Sequence, residues 1–223
     1  AWDGVRPDAL AHALTPNFDA LANGTWSGGY QGAFTPFAQN LYDAATLSGP
    51  NHAAIMTGAT GTQHGVTGNG DVADGDFQSF PHYLTLLENA GDVETAYLFT
   101  WPTDLLITTT ADYVRLDSDA GNTERAAQIL RGNYEEASSL QGSWSLGSDV
   151  DAIFLFLDDP DHEGHAHGFE TDVPEYIQEI ESVDIQLGTL LDAITARSTF
   201  DLERWQIIIT SDHGGYHTGH GGG

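Results

Sequence analysis

The chain has 223 residues, 40% of them apolar, with 26 Gly and 8 Pro, which suits a globular protein with a real core and excludes disordered and fibrous classes. Thirty-three acidic residues face six basic ones for a formal charge of -27, and every base is Arg; such a surface repels nucleic-acid backbones and anionic lipid, so neither is an expected direct partner. The absence of Cys removes disulfides, thiolate metal sites and cysteine nucleophiles together.

Lacking any Lys, so acidic a chain is expected in a salty environment, because the Debye length shrinks to about 3 Å at 1 M salt and self-repulsion is screened. The plainer reading is an acidic protein from ordinary conditions. No apolar run approaches the roughly 18–20 residues that span a bilayer; the longest, Ala152 to Leu157, reads as a buried strand.

Strands and helices alternate, which predicts an α/β fold with a mostly parallel sheet. Ala1-Trp2-Asp3 reads as the end of a strand. Thr15 to Ala22 carries a cap Thr, a Pro at the first helical position and apolar Phe18 and Leu21. Gly49 to Gly58 reads as a buried helix after a tight turn, and Phe80 to Ala90 as a helix stopped by Gly91. The strand Glu94 to Thr100 follows, then a helix from Asn122 to Arg131 with Asn122 or Thr123 as cap. Asp151 to Leu157 is a continuous apolar strand of the kind buried on both faces. Pro174 to Arg197 places Ile177, Ile180, Val183, Leu187, Leu190, Leu191 and Ile194 at helical spacing. Trp205 to Thr210 is the last expected strand. Gly68 to Gly75 and Ser138 to Ser148 read as Gly/Ser/Asp-rich loops, not linkers. The expectation is one domain over residues 1–223, cut at both ends, so that no targeting signal is visible.

Three Asp/His groups fall where expected strands end: Asp3 before Gly4, Asp161 and His165 in PDHEGHAHG, and Asp212 and His213 in TSDHGG. Ligands of open α/β sheets bind at the carboxyl ends of strands, and carboxylate with imidazole suits Zn²⁺ or a similar divalent ion. Six of the ten His residues lie after position 161. Taken singly, Asp-Gly is an ordinary turn, and His162, His167 and His217 are equally at home in solvated loops. Ser48, just before the buried run AAIM, is either a helix cap or a nucleophile at the positive end of a helix dipole.

With DGVRPDAL, TPNFDALA, SGPNHAAIMTG, HGVTGN, PDHEGHAHG and SDHGG in this order, the chain resembles the alkaline phosphatase superfamily, in particular its type I phosphodiesterase/nucleotide pyrophosphatase branch. The resemblance implies a three-layer α/β/α domain and hydrolysis of small phosphate esters, diesters above all, at two divalent ions, Zn²⁺ in the first instance. It implies that Asp3, Asp212, His213 and Ser48 hold one ion, with Ser48 also the nucleophile. Asp161 and His165 hold the other with His220, or failing that His217 or a residue beyond Gly223. Asn69 matches an Asn that hydrogen-bonds a phosphoryl oxygen, while Asn51 and His52 support the loop. It also implies an extracellular, periplasmic or cell-surface setting.

Three departures stand out. The phosphodiesterase branch generally has Thr where Ser48 stands, Thr46 being a weaker candidate, and no Arg matches the clamp of the monoesterases. Sulfatases have Arg where His52 stands. The remaining alternatives are a phosphomonoesterase, a sulfatase and an acidic metal-binding module without turnover.

Overall fold

The computed structural model describes residues 1–28, 46–132, 137–139, 142–144 and 150–220. Proline sets the first turn of four helices: α1 (Pro7–His12), α2 (Pro16–Ala22), α7 (Asp159–His167) and α8 (Pro174–Thr195). Its fixed φ suits a helix start, and its missing N–H would have had no partner there. Between them come α3 (Ser48–Thr57), α4 (Gly61–His64), α5 (Tyr83–Ala90) and α6 (Asp119–Leu130).

The start of α6 lies earlier than its sequence suggests. Ser118 is the cap and accepts the Gly121 N–H. Asn122 and Thr123, the expected caps, are buried inside the helix. There Asn122 donates to the Phe99 carbonyl at 2.9 Å and Thr123 to Gln186 at 2.7 Å, so tertiary contacts explain their polarity.

The strands are β1 (Thr95–Phe99), β2 (Tyr113–Leu116), the short antiparallel pair β3 (Ala137–Ser139) and β4 (Gly142–Trp144), and β5 (Ala152–Leu155). The β3–β4 pair occupies part of the stretch expected as loop from Ser138 to Ser148; the rest of that stretch lies outside the described residues, as do 221–223. A parallel sheet runs in the order β2-β1-β5. Beyond Leu155 the chain continues to Leu157, which bridges Trp2, and Trp2 bridges Ser211 on its other side, both in parallel.

Sheet and helices form layers because the strands are apolar on both faces. Along β1, Tyr97 and Phe99 pack with Met56, Leu84 and Phe154, whereas Ala96 and Leu98 pack with Ala126 and Ile129 of α6. Helices α3 and α5 thus cover one face and α6 the other. Helix α8 buries Tyr176, Ile180, Val183, Leu187 and Leu191 against Trp2, Val5, Ala9 and Leu157. Truncating a side chain buried like Leu98 costs about 2–5 kcal/mol.

The segment Trp205 to Thr210 is not a laddered strand, contrary to its apolar pattern. Trp2 donates its N–H to the Thr210 carbonyl at 2.9 Å, and the bridge falls at Ser211.

Candidate active site

Three parallel backbone segments converge, at Trp2, Leu157 and Ser211, and the backbone holds them close. Asp3 follows Trp2 and gives its N–H to the Leu157 carbonyl at 2.9 Å. Gly4 then takes φ 68, and a Cβ there would lie 2.7 Å from Asp161 Oδ1. Only glycine accepts both that conformation and that approach. Its N–H donates to Asp212 Oδ1 at 3.2 Å, and its carbonyl accepts from the Tyr176 hydroxyl at 2.7 Å. Helix α7, which carries Asp161 and His165 one turn apart, is anchored by buried Asp119. That carboxylate accepts the N–H groups of Asp158 at 3.0 Å and Asp159 at 2.9 Å, satisfying donors that the first turn leaves open.

Four side-chain atoms meet in the first group. His213 Nε2 lies 3.3 Å from Asp3 Oδ1, 3.3 Å from Asp212 Oδ2 and 3.1 Å from Ser48 Oγ. His213 Nδ1 faces the Gly214 carbonyl at 3.0 Å. A carbonyl only accepts, so Nδ1 carries the proton, and the Nε2 lone pair accepts from the Ser48 hydroxyl. Ser48 is buried at the first residue of α3, where the cap position before it is Leu47 and carries no side-chain cap bond. The Ser48 hydroxyl is turned to the cluster.

The second group adjoins the first. His165 Nε2 lies 3.3 Å from Asp161 Oδ2 and 3.0 Å from His220 Nε2, while its Nδ1 donates to the Thr218 carbonyl at 2.8 Å. His220 arrives on a hairpin of β6 (Gly215–Tyr216) and β7 (Gly219–His220), turned at His217 with φ 51. The two groups touch through His213 and His220, whose ring centroids are 4.5 Å apart. His217 points elsewhere, its Nδ1 3.2 Å from Glu170 with the side chain 73% exposed. His162 and His167 are exposed on α7, the latter paired with Glu163.

Asn69 is tied to the start of α3. Its Oδ1 accepts the Gly49 N–H, next in the chain after Ser48, at 2.8 Å, so its amide nitrogen is the group left to donate. Asp71 folds the loop by accepting the N–H groups of Thr67 and Gly68. No hydrogen bond or ion pair links an Arg to Ser48, Asn69 or either group among the described residues; Arg6, Arg115 and Arg197 are tied to Asp8, Asp117 and Glu203.

Sequence reasoning assigned no role to Asp104 and took His52 only as loop support. In the fold, His52 Nδ1 is 2.8 Å from Asp104 Oδ1, and His52 Nε2 is 3.1 Å from Asp212 Oδ2. The available signal was position: Asp104 comes soon after β1, at the same carboxyl edge as the other acids.

Electrostatics follows from burial and partners. Burial works against charge on His52, but the charge and hydrogen bond of Asp104, with Asp212 and Asp3, hold it protonated well above the ordinary range. Burial also raises Asp212, yet the hydrogen bond and charge of His52 outweigh it and keep this carboxyl ionised. Asp3 is pushed up by burial and by Asp212. Asp161 is pushed up to about 7 by burial, against His165 and with Asp212. Burial, reinforced by His213 and His165, pulls His220 down to about 4.

These residues fit divalent cations. Buried Asp3 Oδ1 and Asp161 Oδ1 accept no hydrogen bond, and imidazole lone pairs face carboxylates. The sets Asp3, Asp212, His213 and Asp161, His165, His220 each bring their ligand atoms within 4.8 Å of one another. Carboxylate and imidazole without thiolate are the donors of Zn²⁺ and related ions.

A doubly covered parallel sheet with carboxylate–imidazole clusters at its carboxyl edge defines a metal-site α/β protein of the alkaline phosphatase kind. Residues 1–220 match the profile of the type I phosphodiesterase/nucleotide pyrophosphatase family, and the chain belongs to that metal-dependent family. It is 26% identical over 232 residues to human ectonucleotide pyrophosphatase/phosphodiesterase family member 7, covering 96% of this chain and 46% of the relative. Human bis(5'-adenosyl)-triphosphatase ENPP4 is 25% identical over 236 residues, with 96% and 46% covered. An N-acetylglucosamine-6-O-sulfatase of Bacteroides thetaiotaomicron is 37% identical over 87 residues, 39% of this chain and 13% of the relative. The chain thus spans less than half the length of these relatives.

Proposed function

We propose that the chain hydrolyses small phosphate diesters at two divalent ions through a phosphoseryl intermediate on Ser48. The observation that carries this reading is Ser48 Oγ, buried and 3.1 Å from His213 Nε2, in a cluster with Asp3 and Asp212. Asp3, Asp212, His213 and Ser48 would hold one ion, and Asp161, His165 and His220 the other. Bound there, Zn²⁺ or a similar ion lowers the pKa of the serine hydroxyl and neutralises charge on the attacking and leaving oxygens.

Ser48 gives its hydroxyl proton to solvent and attacks phosphorus; the Oγ–P bond forms as the bond to the leaving oxygen breaks, and that oxygen takes a proton from solvent and departs as an alcohol. The N-terminus of α3 stabilises the charge on Oγ and on the substrate. Asn69 Nδ2 donates to a non-bridging oxygen, held in place by Gly49. Water then attacks the phosphoserine, the Oγ–P bond breaks, and a phosphomonoester leaves. A diester has one charged oxygen to hold, and the lack of an Arg contact at Ser48 among the described residues suits it better than a monoester. The acidity without Lys further supports a salt-rich setting.

The test is turnover of bis-p-nitrophenyl phosphate and p-nitrophenyl phosphate with added Zn²⁺, beside Ser48→Ala. Metal-dependent cleavage that favours the diester and disappears in Ser48→Ala is expected. No turnover of either ester, or an unimpaired variant, sinks the reading and leaves a metal-binding module. Intact mass checks the sulfatase alternative, which requires formylglycine in place of Ser48.

A further inference from the structure

We propose that His52, held by Asp104, is a positioning residue for the first metal group, orienting the Asp3 and Asp212 carboxylates toward His213 and Ser48. The inference rests on the two-metal reading above.

His52 lies one turn beyond Ser48 on α3 and meets Asp212 Oδ2, the oxygen that also faces His213. It is 1% exposed, with its ring against Phe156 at 4.1 Å and Trp101 at 5.3 Å between centroids, both edge-on. Both ring nitrogens face carboxylates, so both carry hydrogen. Nδ1 donates to Asp104 Oδ1 at 2.8 Å, and Nε2 donates to Asp212 Oδ2 at 3.1 Å and lies 3.5 Å from Asp3 Oδ2. The consequence is a division of oxygens. Asp212 Oδ1 is taken by the Gly4 N–H, and Oδ2 is fixed by His52 while it faces His213. Asp3 turns Oδ2 to His52, so its unpartnered Oδ1 is the oxygen left facing His213.

Asp104 completes the device. It is fully buried in the turn Pro102–Leu106, and that turn is tied to β1 through the Tyr97 hydroxyl on the Asp104 carbonyl at 3.4 Å. A rigid strand therefore sets the imidazole, and the imidazole sets two ligands. No such contact reaches His165 or His220. The second group has its own support in the Thr218 carbonyl.

The test titrates Zn²⁺ into the intact protein against a chromophoric chelator, for wild type, His52→Ala, His52→Gln and Asp104→Asn, with the Co²⁺ absorption spectrum as a second readout. Partners behind a ligand typically account for about 10–100-fold in affinity. His52→Ala should lose that much at one of two ions and leave the other unchanged, with Co²⁺ bands altered for that ion alone. Asp104→Asn should weaken the same ion, and adding it to His52→Ala should cause no further loss. His52→Gln, which restores one N–H and most of the volume, should recover part of the affinity and carries the test where the Ala variant unfolds. Unchanged affinities in folded variants, or equal losses at both ions, overturn the inference. Failure of the wild type to bind two ions overturns the two-metal reading instead.

Discussion

The Gly49 N–H donates to Asn69 Oδ1 at 2.8 Å, tying the first turn of α3 to the loop that follows α4. Gly49 has room for nothing larger than hydrogen, since a Cβ would lie 3.1 Å from the Asn69 Cα and 2.8 Å from Val72. The start of α3 beside Ser48 and the Asn69 amide are therefore built as one unit.

Asn69→Ala should lower kcat on bis-p-nitrophenyl phosphate by about 10²-fold, the usual effect of removing one donor aimed at developing charge. Asn69 is only half-buried, so the melting temperature should move little. A fall in stability with unchanged kcat would mean that the amide serves the loop alone.

Gly4→Ala should separate the two groups. Its φ of 68 and the 2.8 Å approach to the Asp161 Cα leave no place for a methyl group. Strain of this kind costs about 1–3 kcal/mol, and Asp161 must move away from Asp3. Denaturant unfolding with Zn²⁺ titration checks both effects, and a variant with wild-type stability and two intact metal affinities would refute the steric argument.

Acid should destabilise the fold through buried neutral histidine. Burial takes His82 from 6.5 to about 3, while its ring accepts the Leu84 N–H at the start of α5. Between those values the unfolded chain binds a proton that the folded chain refuses. Stability therefore falls as pH drops through this window, by about 1.4 kcal/mol per unit for one such group, and is flat above it. His82→Asn keeps a capping acceptor without a titrating ring. Its stability should fall less steeply below pH 6 in urea unfolding, and an identical slope would exclude His82 as the cause.

Salt should stabilise the protein. With a charge of -27, self-repulsion weakens as ionic strength approaches 1 M, where the Debye length is about 3 Å. Thermal unfolding across a salt series should show the midpoint rising, and a flat or falling curve would remove the argument for a salt-rich setting.

Local chemistry alone determined a good part of this. Pro16 and Pro174 announce helix starts because proline is tolerated in a first turn. The run Ala152 to Leu157 announces a doubly buried strand because nothing in it would face water. The carboxylate and imidazole groups at Asp3, Asp161, His165, Asp212 and His213 are legible because they fall where expected strands end, in motifs with recognisable order. Other elements were not local properties. Trp205 to Thr210 has a strand's pattern but forms no ladder among the described residues, where the one bridge to Trp2 falls at Ser211. The cap of α6 is Ser118 because Asn122 and Thr123 are spent on distant partners. The resemblance put His220 ahead of His217, and the tertiary structure supplies the physical reason, a hairpin that turns one ring toward His165 and the other to Glu170. Only the tertiary structure could pair Asp104 with His52, 52 positions apart and 2.8 Å from each other. A net charge speaks for the whole surface, but an ion's site depends on where a few oxygens are aimed, and long-range packing sets that aim.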